Sequence, residues 1–586
     1  MPAAKASRRE FLALGLAAAI APEDAGPPAG MPPAFGTAPP VGPEVTPATF
    51  AEAEKLVQVE YSPQERAQAA GNWRESMAAV YERRTGPRKV AVAEAPASRW
   101  IPGGAQPART RFLRSPQSPG PLPQSEAEIA FAPVTALSRW IESRALTSTR
   151  LTQIYLDRLQ RFDEKLRCTI TLTRDLALEQ AARADAEIRR GRYRGPLQGI
   201  PWGAKDLVDT KGIATTYGAE PFRNRVPETD AAVVERLDRA GAVLVAKLSL
   251  GALALNDIWF GGQTMNPWLL EEGASGSSAG PGAATAAGLV GFSLGSETLG
   301  SIVAPSMRCG VTGLRPTFGR VPRTGAMTLC WSLDKLGPMA RGVEDTMLVL
   351  AALSGPDEGD LSTVPSRLDF DAAAGARGLR LGYVRRFMQE NPATDVDRAA
   401  LETARKIGMT PVEVELPDWP YASLLVILFA ESAAAFEELT LSHGVDALKM
   451  QVPDAWPNTF RQSRFLSAVD FVQADRLRRK VAREMARIFS QVDLLLVPSL
   501  RDETLTISNF TGHPSLTLRA GFVEVDQARS DWAPDPAHPL PKFSPPRRVP
   551  HGVTLIGRLF DEGTLGRAGI ALERAFAVTS AHPPGF

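Results

Sequence analysis

Residues 273–306 read GASGSSAGPGAATAAGLVGFSLGSETLGSIVAPS, a stretch crowded with glycine, alanine and serine. Small residues permit close backbone packing and sharp turns. Serine-rich loops are usually solvated turns, so composition alone favours a purely structural reading. Three features pull the other way. A lysine lies upstream in Gly199-Ile200-Pro201-Trp202-Gly203-Ala204-Lys205-Asp206, after an apolar stretch that would turn it inward. Two separate serine clusters, around Ser277 and Ser301, can each supply a hydroxyl. The run Gly295 to Ser301 is turn-like, and its consecutive backbone amides can form an anion-binding nest.

Helix and buried strand alternate on either side of this stretch. Ser148 is expected to cap a helix that puts Leu151, Ile154, Tyr155, Arg158 and Leu159 on one face. Residues 174–190 read as a second helix ending at Gly191. Thr229 or Asp230 opens a third that ends at Gly241, and the apolar run 242–246 follows at once as a strand. The pattern returns late, with Leu477, Val481, Met485 and Ile488 on one helical face ahead of a strand over 492–497. Such alternation predicts an α/β protein.

The first 124 residues have a different character. Ser7-Arg8-Arg9-Glu10-Phe11-Leu12 precedes a short apolar run, Ala13 to Ala21, as in a secretory signal. The paired arginines resemble a bacterial twin-arginine signal, which implies the twin-arginine translocase as partner during export and a periplasmic or extracellular destination. Residues 22–45 are rich in Pro, Gly and Ala and read as linker. Residues 47–84 carry helical periodicity. Thr46 is an N-cap candidate that puts Pro47 at the first helical position, and Thr49 is a second. Residues 101–125 are again linker-like. The expected organisation is therefore an export signal and the start of a linker over 1–28, linker and a small helical extension over 29–124, and a catalytic domain over 125–586.

Charge and cysteine usage exclude several classes. Lys+Arg number 66 against 65 Asp+Glu, which leaves no basic footprint for nucleic acid. Three cysteines and five histidines occur without CxxC or HxxxH spacing, so no metal site and no cofactor is expected. No uninterrupted apolar run reaches the length of a transmembrane span. Nothing in the chain specifies an oligomeric state.

Several motifs, in order, resemble the amidase-signature family of Ser-cisSer-Lys amidases. Residues 199–206 are similar to its lysine motif and 275–280 to its Gly-Gly-Ser-Ser-Gly-Gly element. Residues 295–301 match its Gly-Ser/Thr-Asp-x-Gly-Gly-Ser element. Cys309 to Thr317, Ser332 to Pro338 with Arg341, Asn509 to Leu516 and Leu555 to Arg558 continue the likeness. It covers about 125–360 and 480–576 and is loose between. The resemblance implies an amidase-signature fold, a large mixed β-sheet covered by helices on both faces. Carried over residue by residue, it makes Ser301 the nucleophile, Ser277 the proton relay and Lys205 the base. The backbone amides of Thr298, Leu299 and Gly300, with that of Ser301, would form the oxyanion hole. The chemistry is consistent. A serine hydroxyl needs a base to become a nucleophile. Lysine serves only when neutral, which at pH 7 costs roughly 4–5 kcal/mol from its reference pKa of about 10.4. Burial can supply a shift of that order.

The chain departs from the family pattern at three positions. Glu297 stands where Asp is usual, Leu299 replaces a glycine, and Val303 stands where Arg often follows Ser-Ile. The absence of that arginine weakens any expectation of an acidic substrate. Two other motifs compete. Gly276-Ser277-Ser278-Ala279-Gly280 matches the GxSxG elbow of an α/β-hydrolase-type esterase with Ser278 as nucleophile. Gly280-Pro281-Gly282 hints at a nucleotide loop but lacks the third glycine and a preceding strand. The leading expectation is an exported amidase that hydrolyses a carbon–nitrogen bond in a small amide, non-peptide or peptide-like. The alternative of another class is the glutamine-hydrolysing subunit of a tRNA-dependent amidotransferase, against which an export signal argues.

Overall fold

The structure is a computed structural model and describes residues 39–97, 102–104 and 106–586. The export signal expected over 1–28 lies outside the described residues.

Eleven strands form one sheet: β1 (Thr169–Leu172), β2 (Pro201–Lys205), β3 (Val243–Leu248), β4 (Phe292–Glu297), β5 (Thr312–Arg315), β6 (Lys335–Ala340), β7 (Arg380–Tyr383), β8 (Thr410–Glu413), β9 (Leu494–Pro498), β10 (Ser515–Gln527) and β11 (Lys542–Gly557). Their spatial order is β8-β7-β9-β11-β10-β5-β6-β4-β2-β3-β1. The pairs β8/β7, β7/β9, β4/β2 and β2/β3 are parallel and the others antiparallel, so the sheet is mixed. The α/β expectation is met.

Both faces of the sheet are covered, and the alternation of side chains shows it. Leu244 joins one apolar core with Trp140 and Ile141, while its neighbours Val243 and Val245 join another with Leu156, Leu159 and Phe162. At the other end Leu494 and Leu496 pack with Ala400 and Ala404, and Leu495 and Val497 with Leu477, Val481, Met485 and Ile488. Strands buried on both faces read as continuous apolar runs, which is why 242–246 and, past Asp493, 494–497 stand out in the sequence.

Two helix starts differ from expectation. Thr147, not Ser148, caps the helix Ser148–Leu166 by accepting from the Arg150 amide. Ser148 is buried, and its hydroxyl donates to the Gly199 carbonyl at 2.9 Å. The helix Ala232–Arg239 begins after Ala231 with no side-chain cap, because Asp230 accepts from the Lys211 amide at 2.7 Å instead. A helix start inside a packed domain answers to tertiary partners as well as to local capping.

The extension carries helices Pro47–Val57 and Pro63–Ser76, each with a capping box, the first from Thr46 and Thr49. It docks on residues 446–470. Asn72 donates to the Pro453 carbonyl and accepts from Asn458 and Gln462, and Glu65 pairs with Arg461 at 2.7 Å.

Candidate active site

The glycine- and serine-rich stretch folds into two loops around the end of β2. The first, 274–278, leads into the helix Ala279–Ala286, and the second, 298–302, joins β4 to the helix Val303–Cys309. Close packing explains the composition. A Cβ on Gly276 would meet the Asn256 carbonyl oxygen at 1.7 Å, and one on Gly280 would meet the Ser249 amide at 2.5 Å. The Gly276–Ser277 peptide bond is cis. Asp531 holds this loop, accepting from the Ser275 hydroxyl at 2.7 Å and the Gly276 amide at 3.0 Å, and is itself paired with Arg308 at 3.2 Å.

Lys205, the last residue of β2, points into the space between the loops and is fully buried. Its Nζ lies 2.8 Å from Ser277 Oγ, 3.0 Å from Ser278 Oγ and 2.9 Å from Ser296 Oγ. Among the described residues no carboxylate pairs with it. Burial therefore pulls its pKa well below the ordinary lysine value, and the more distant charges of Asp334 and Glu297 oppose this only in part.

Ser301 begins the turn after β4. Its carbonyl accepts from the Ser278 amide at 3.2 Å, which ties the two loops together. Its hydroxyl makes no hydrogen bond among the described residues. Of the three residues carried over from the resemblance, Lys205 and Ser277 meet directly, and Ser301 joins them through the backbone of the adjoining loop.

No hydrogen bond ties up the amides of Thr298, Leu299, Gly300 or Ser301 among the described residues. The turn is held from outside. Glu297 Oε2 accepts from the Ile302 amide at 2.7 Å and the Val303 amide at 3.0 Å, while Oε1 accepts from Arg315 at 2.5 Å and Asn509 at 2.9 Å. Burial works against the charge on Glu297, yet Arg315, the Val303 amide and Lys335 hold its pKa at about 2. Thr298 Oγ1 donates to Asp334 at 2.6 Å. Gly300 has φ +84°, which favours glycine. Leu299 is absent from the positive-φ positions, so a side chain is accommodated there, and it packs beside the core that contains Leu424 and Phe429. Val303 is buried.

Sequence reasoning missed Ser278 and Ser296 as partners of the lysine. Both lie inside the quoted motifs, but their convergence on Nζ depends on β4 pairing with β2. Ser278 is fully buried, and its hydroxyl donates to the Ser296 carbonyl at 3.1 Å and receives the Ser296 amide at 3.2 Å. That engagement disfavours an exposed nucleophile elbow at Ser278. A cleft of about 290 Å³ opens beside Ser296 and Thr298, walled by Leu207, Ala254, Met327 and the half-exposed Trp331. Arg323 also lines it but is held by Asp360 at 2.8 Å. Glu65, His443 and Asp446 gather their ligand atoms at the extension, where Arg461 already pairs with two of them.

Comparison with known proteins bears on the fold and the family. The family model described as Amidase matches residues 150–565. A glutamyl-tRNA(Gln) amidotransferase subunit of Anaeromyxobacter dehalogenans (strain 2CP-C) is 34% identical over 474 residues, covering 76% of this chain and 96% of that protein. The solved structure of native peptide amidase from Stenotrophomonas maltophilia superposes with a TM-score of 0.64 at 29% identity, covering 78% of this chain and 98% of that one. That of the corresponding glutamyl-tRNA(Gln) amidotransferase subunit from Thermotoga maritima gives 0.61 at 25% identity, covering 78% and 96%. A shared sheet, a lysine buried among serines and a family match across most of the length lead to one conclusion: this chain belongs to the amidase family and is a hydrolase of carbon–nitrogen amide bonds.

Proposed function

We propose that the protein is an exported amidase that cleaves a small amide through an acyl-enzyme on Ser301. The observation that carries this reading is the Lys205 amine, buried without a carboxylate and 2.8 Å from Ser277 Oγ. In the neutral amine the nitrogen lone pair is available to Ser277. Ser301 Oγ attacks the amide carbon, its proton passes to Ser277 Oγ, and the Ser277 proton passes to Lys205 Nζ. The amides of Thr298, Leu299, Gly300 and Ser301 receive the charge that develops on the carbonyl oxygen. Collapse of the tetrahedral intermediate breaks the carbon–nitrogen bond, and the same relay returns a proton to the departing nitrogen, which an amide requires. Water then attacks the acyl-enzyme by the same route and releases the acid.

The test is covalent. A serine-directed fluorophosphonate is expected to label Ser301, and Ser301→Ala to abolish both labelling and turnover while the fold persists. Labelling at Ser278, or substantial turnover by Ser301→Ala, would refute the assignment.

Glutamine hydrolysis within a tRNA-dependent amidotransferase is the second reading, favoured by the relatives named as glutamyl-tRNA(Gln) amidotransferase subunits. The paired arginines, Arg8 and Arg9, support export instead. Changing both to Lys is expected to leave the precursor in the cytoplasm. Undiminished periplasmic accumulation would count against the twin-arginine route. The residues from 125 onward form the catalytic domain on this reading, and 29–124 the linker and extension.

A further inference from the structure

A second cavity, of about 630 Å³, shares no lining residue with the cleft beside Thr298. The helix Ala468–Gln491 supplies an apolar wall through Ala482, Ala486 and Phe489. The helix Glu562–Phe576 supplies Thr564 and Arg567, and Pro102 and Arg111 line the cavity from the segment that follows the extension.

Most charges on the wall are already matched. Arg111 pairs with Asp369 at 2.8 Å and with Asp371 at 3.2 Å, and Arg109 also holds Asp369. Arg558 pairs with Asp493 at 2.8 Å and donates to the Phe489 and Val492 carbonyls. Asp561 accepts from the Thr564 amide of its own helix at 3.4 Å, and burial raises its pKa toward the neutral form. Arg567 differs. Its guanidinium makes no ion pair or hydrogen bond among the described residues, and its Nε is sealed from solvent with no acceptor. A guanidinium is never neutral in a protein, so an anion entering the cavity meets a cation that no carboxylate of the described residues neutralises.

His513 is the second unmatched group. It is 5% exposed, its ring stacks on Phe489 at 4.7 Å, and Nδ1 donates to the Gly557 carbonyl at 2.9 Å. Burial lowers its pKa to about 4, so the ring is neutral at physiological pH, and with the proton on Nδ1 its Nε2 is a bare acceptor. No hydrogen bond reaches Nε2 among the described residues. The cavity thus combines an unpaired guanidinium, an unpaired neutral acceptor and an apolar wall with an aromatic ring.

We propose that this cavity is a second small-molecule site for a carboxylate with an apolar body and a hydroxyl or N–H donor, the carboxylate seated on Arg567 and the donor on His513 Nε2. Arginine and carboxylate form charge-assisted, often bidentate bonds, and pockets of this kind draw orientation from a few polar groups set in apolar walls.

Calorimetric titration of the full chain with 3-phenyllactate, which carries a carboxylate, a hydroxyl and a phenyl ring but no amide bond, tests this. Saturable binding at one site is expected. Arg567→Met should weaken it about tenfold or more, as the loss of a charge-assisted contact implies. The uncharged 3-phenylpropane-1,2-diol should bind correspondingly worse. Ala486→Trp, on an exposed helical position, fills the cavity without touching the charge and should also abolish binding. Unchanged melting temperatures show that both variants are folded. Absence of saturable binding up to about 10 mM, the weak end of small-ligand affinities, overturns the proposal. So does binding that both variants retain at the wild-type level.

Discussion

Two fully buried lysines on neighbouring strands meet opposite surroundings. Lys205 ends β2 and Lys247 lies in β3. The strands are parallel with Ala204 opposite Lys247 and Lys205 opposite Leu248, so the two amines project to opposite faces of the sheet. Asp206, next along the chain from Lys205, serves the other lysine and pairs with Lys247 at 2.9 Å. The Thr215 hydroxyl accepts from Lys247 at 2.6 Å. Lys205 has three serine hydroxyls and no carboxylate. Burial lowers both pKa values, but at Lys247 the adjoining Asp206 charge opposes it, whereas Lys205 falls well below the ordinary value. Burial with a carboxylate makes a structural ion pair. Burial among hydroxyls leaves an amine that, on the proposed reading, serves as the base.

Removing each lysine in turn gives the largest expected effects. Lys205→Ala should lower the rate of amide hydrolysis by about 10²–10⁴-fold, the span of general base catalysis, and the residual rate should gain from added hydroxide. Lys247→Met should leave the chemical step nearly intact but strand a buried Asp206, at a cost in stability of about 3–5 kcal/mol. Steady-state kinetics and denaturant titration read the two outcomes. A stable but slow Lys247→Met beside an active Lys205→Ala would reverse the assignment.

A smaller effect sharpens the same contrast. A hydroxyl accepting from Nζ favours the ammonium, so Ser296→Ala should lower the Lys205 pKa further. The alkaline-rising limb of the rate should move to lower pH by about one unit or less, the worth of a single hydrogen bond. A shift to higher pH would mean that Ser296 does not act on the lysine.

Much of this site could be read from the chain because its parts are short motifs with local geometry. The run 295–301 turns where Gly300 permits it, and the lysine follows an apolar stretch whose pattern already faces inward. The alternation of helix and strand likewise exposes the α/β sheet. What stays hidden depends on distant pairing. Ser296 reaches Lys205 only because β4 lies beside β2, and Glu297 clamps the Ser301 turn through Arg315 and Asn509 from β5 and the helix Asp502–Phe510. The extension's helices announce themselves through Thr46 and Pro47, but their docking surface lies nearly four hundred residues away, at Pro453 and Gln462. Local capping rules also yield at Asp230, whose carboxylate serves Lys211.

The pH dependence of kcat/KM in the wild type, Lys205→Ala, Lys247→Met and His513→Gln tests whether Lys205 is the base. A lysine with a depressed pKa is neutral above that pKa, so the wild-type rate should rise with pH through a limb well below about 10.4, the value of free lysine. Lys247→Met and His513→Gln should keep the limb with its midpoint and plateau, and Lys205→Ala should lose it, leaving only a rise in proportion to hydroxide with no plateau. A limb with the wild-type midpoint that survives in Lys205→Ala, or disappears in a folded His513→Gln, would rule out Lys205 as the base.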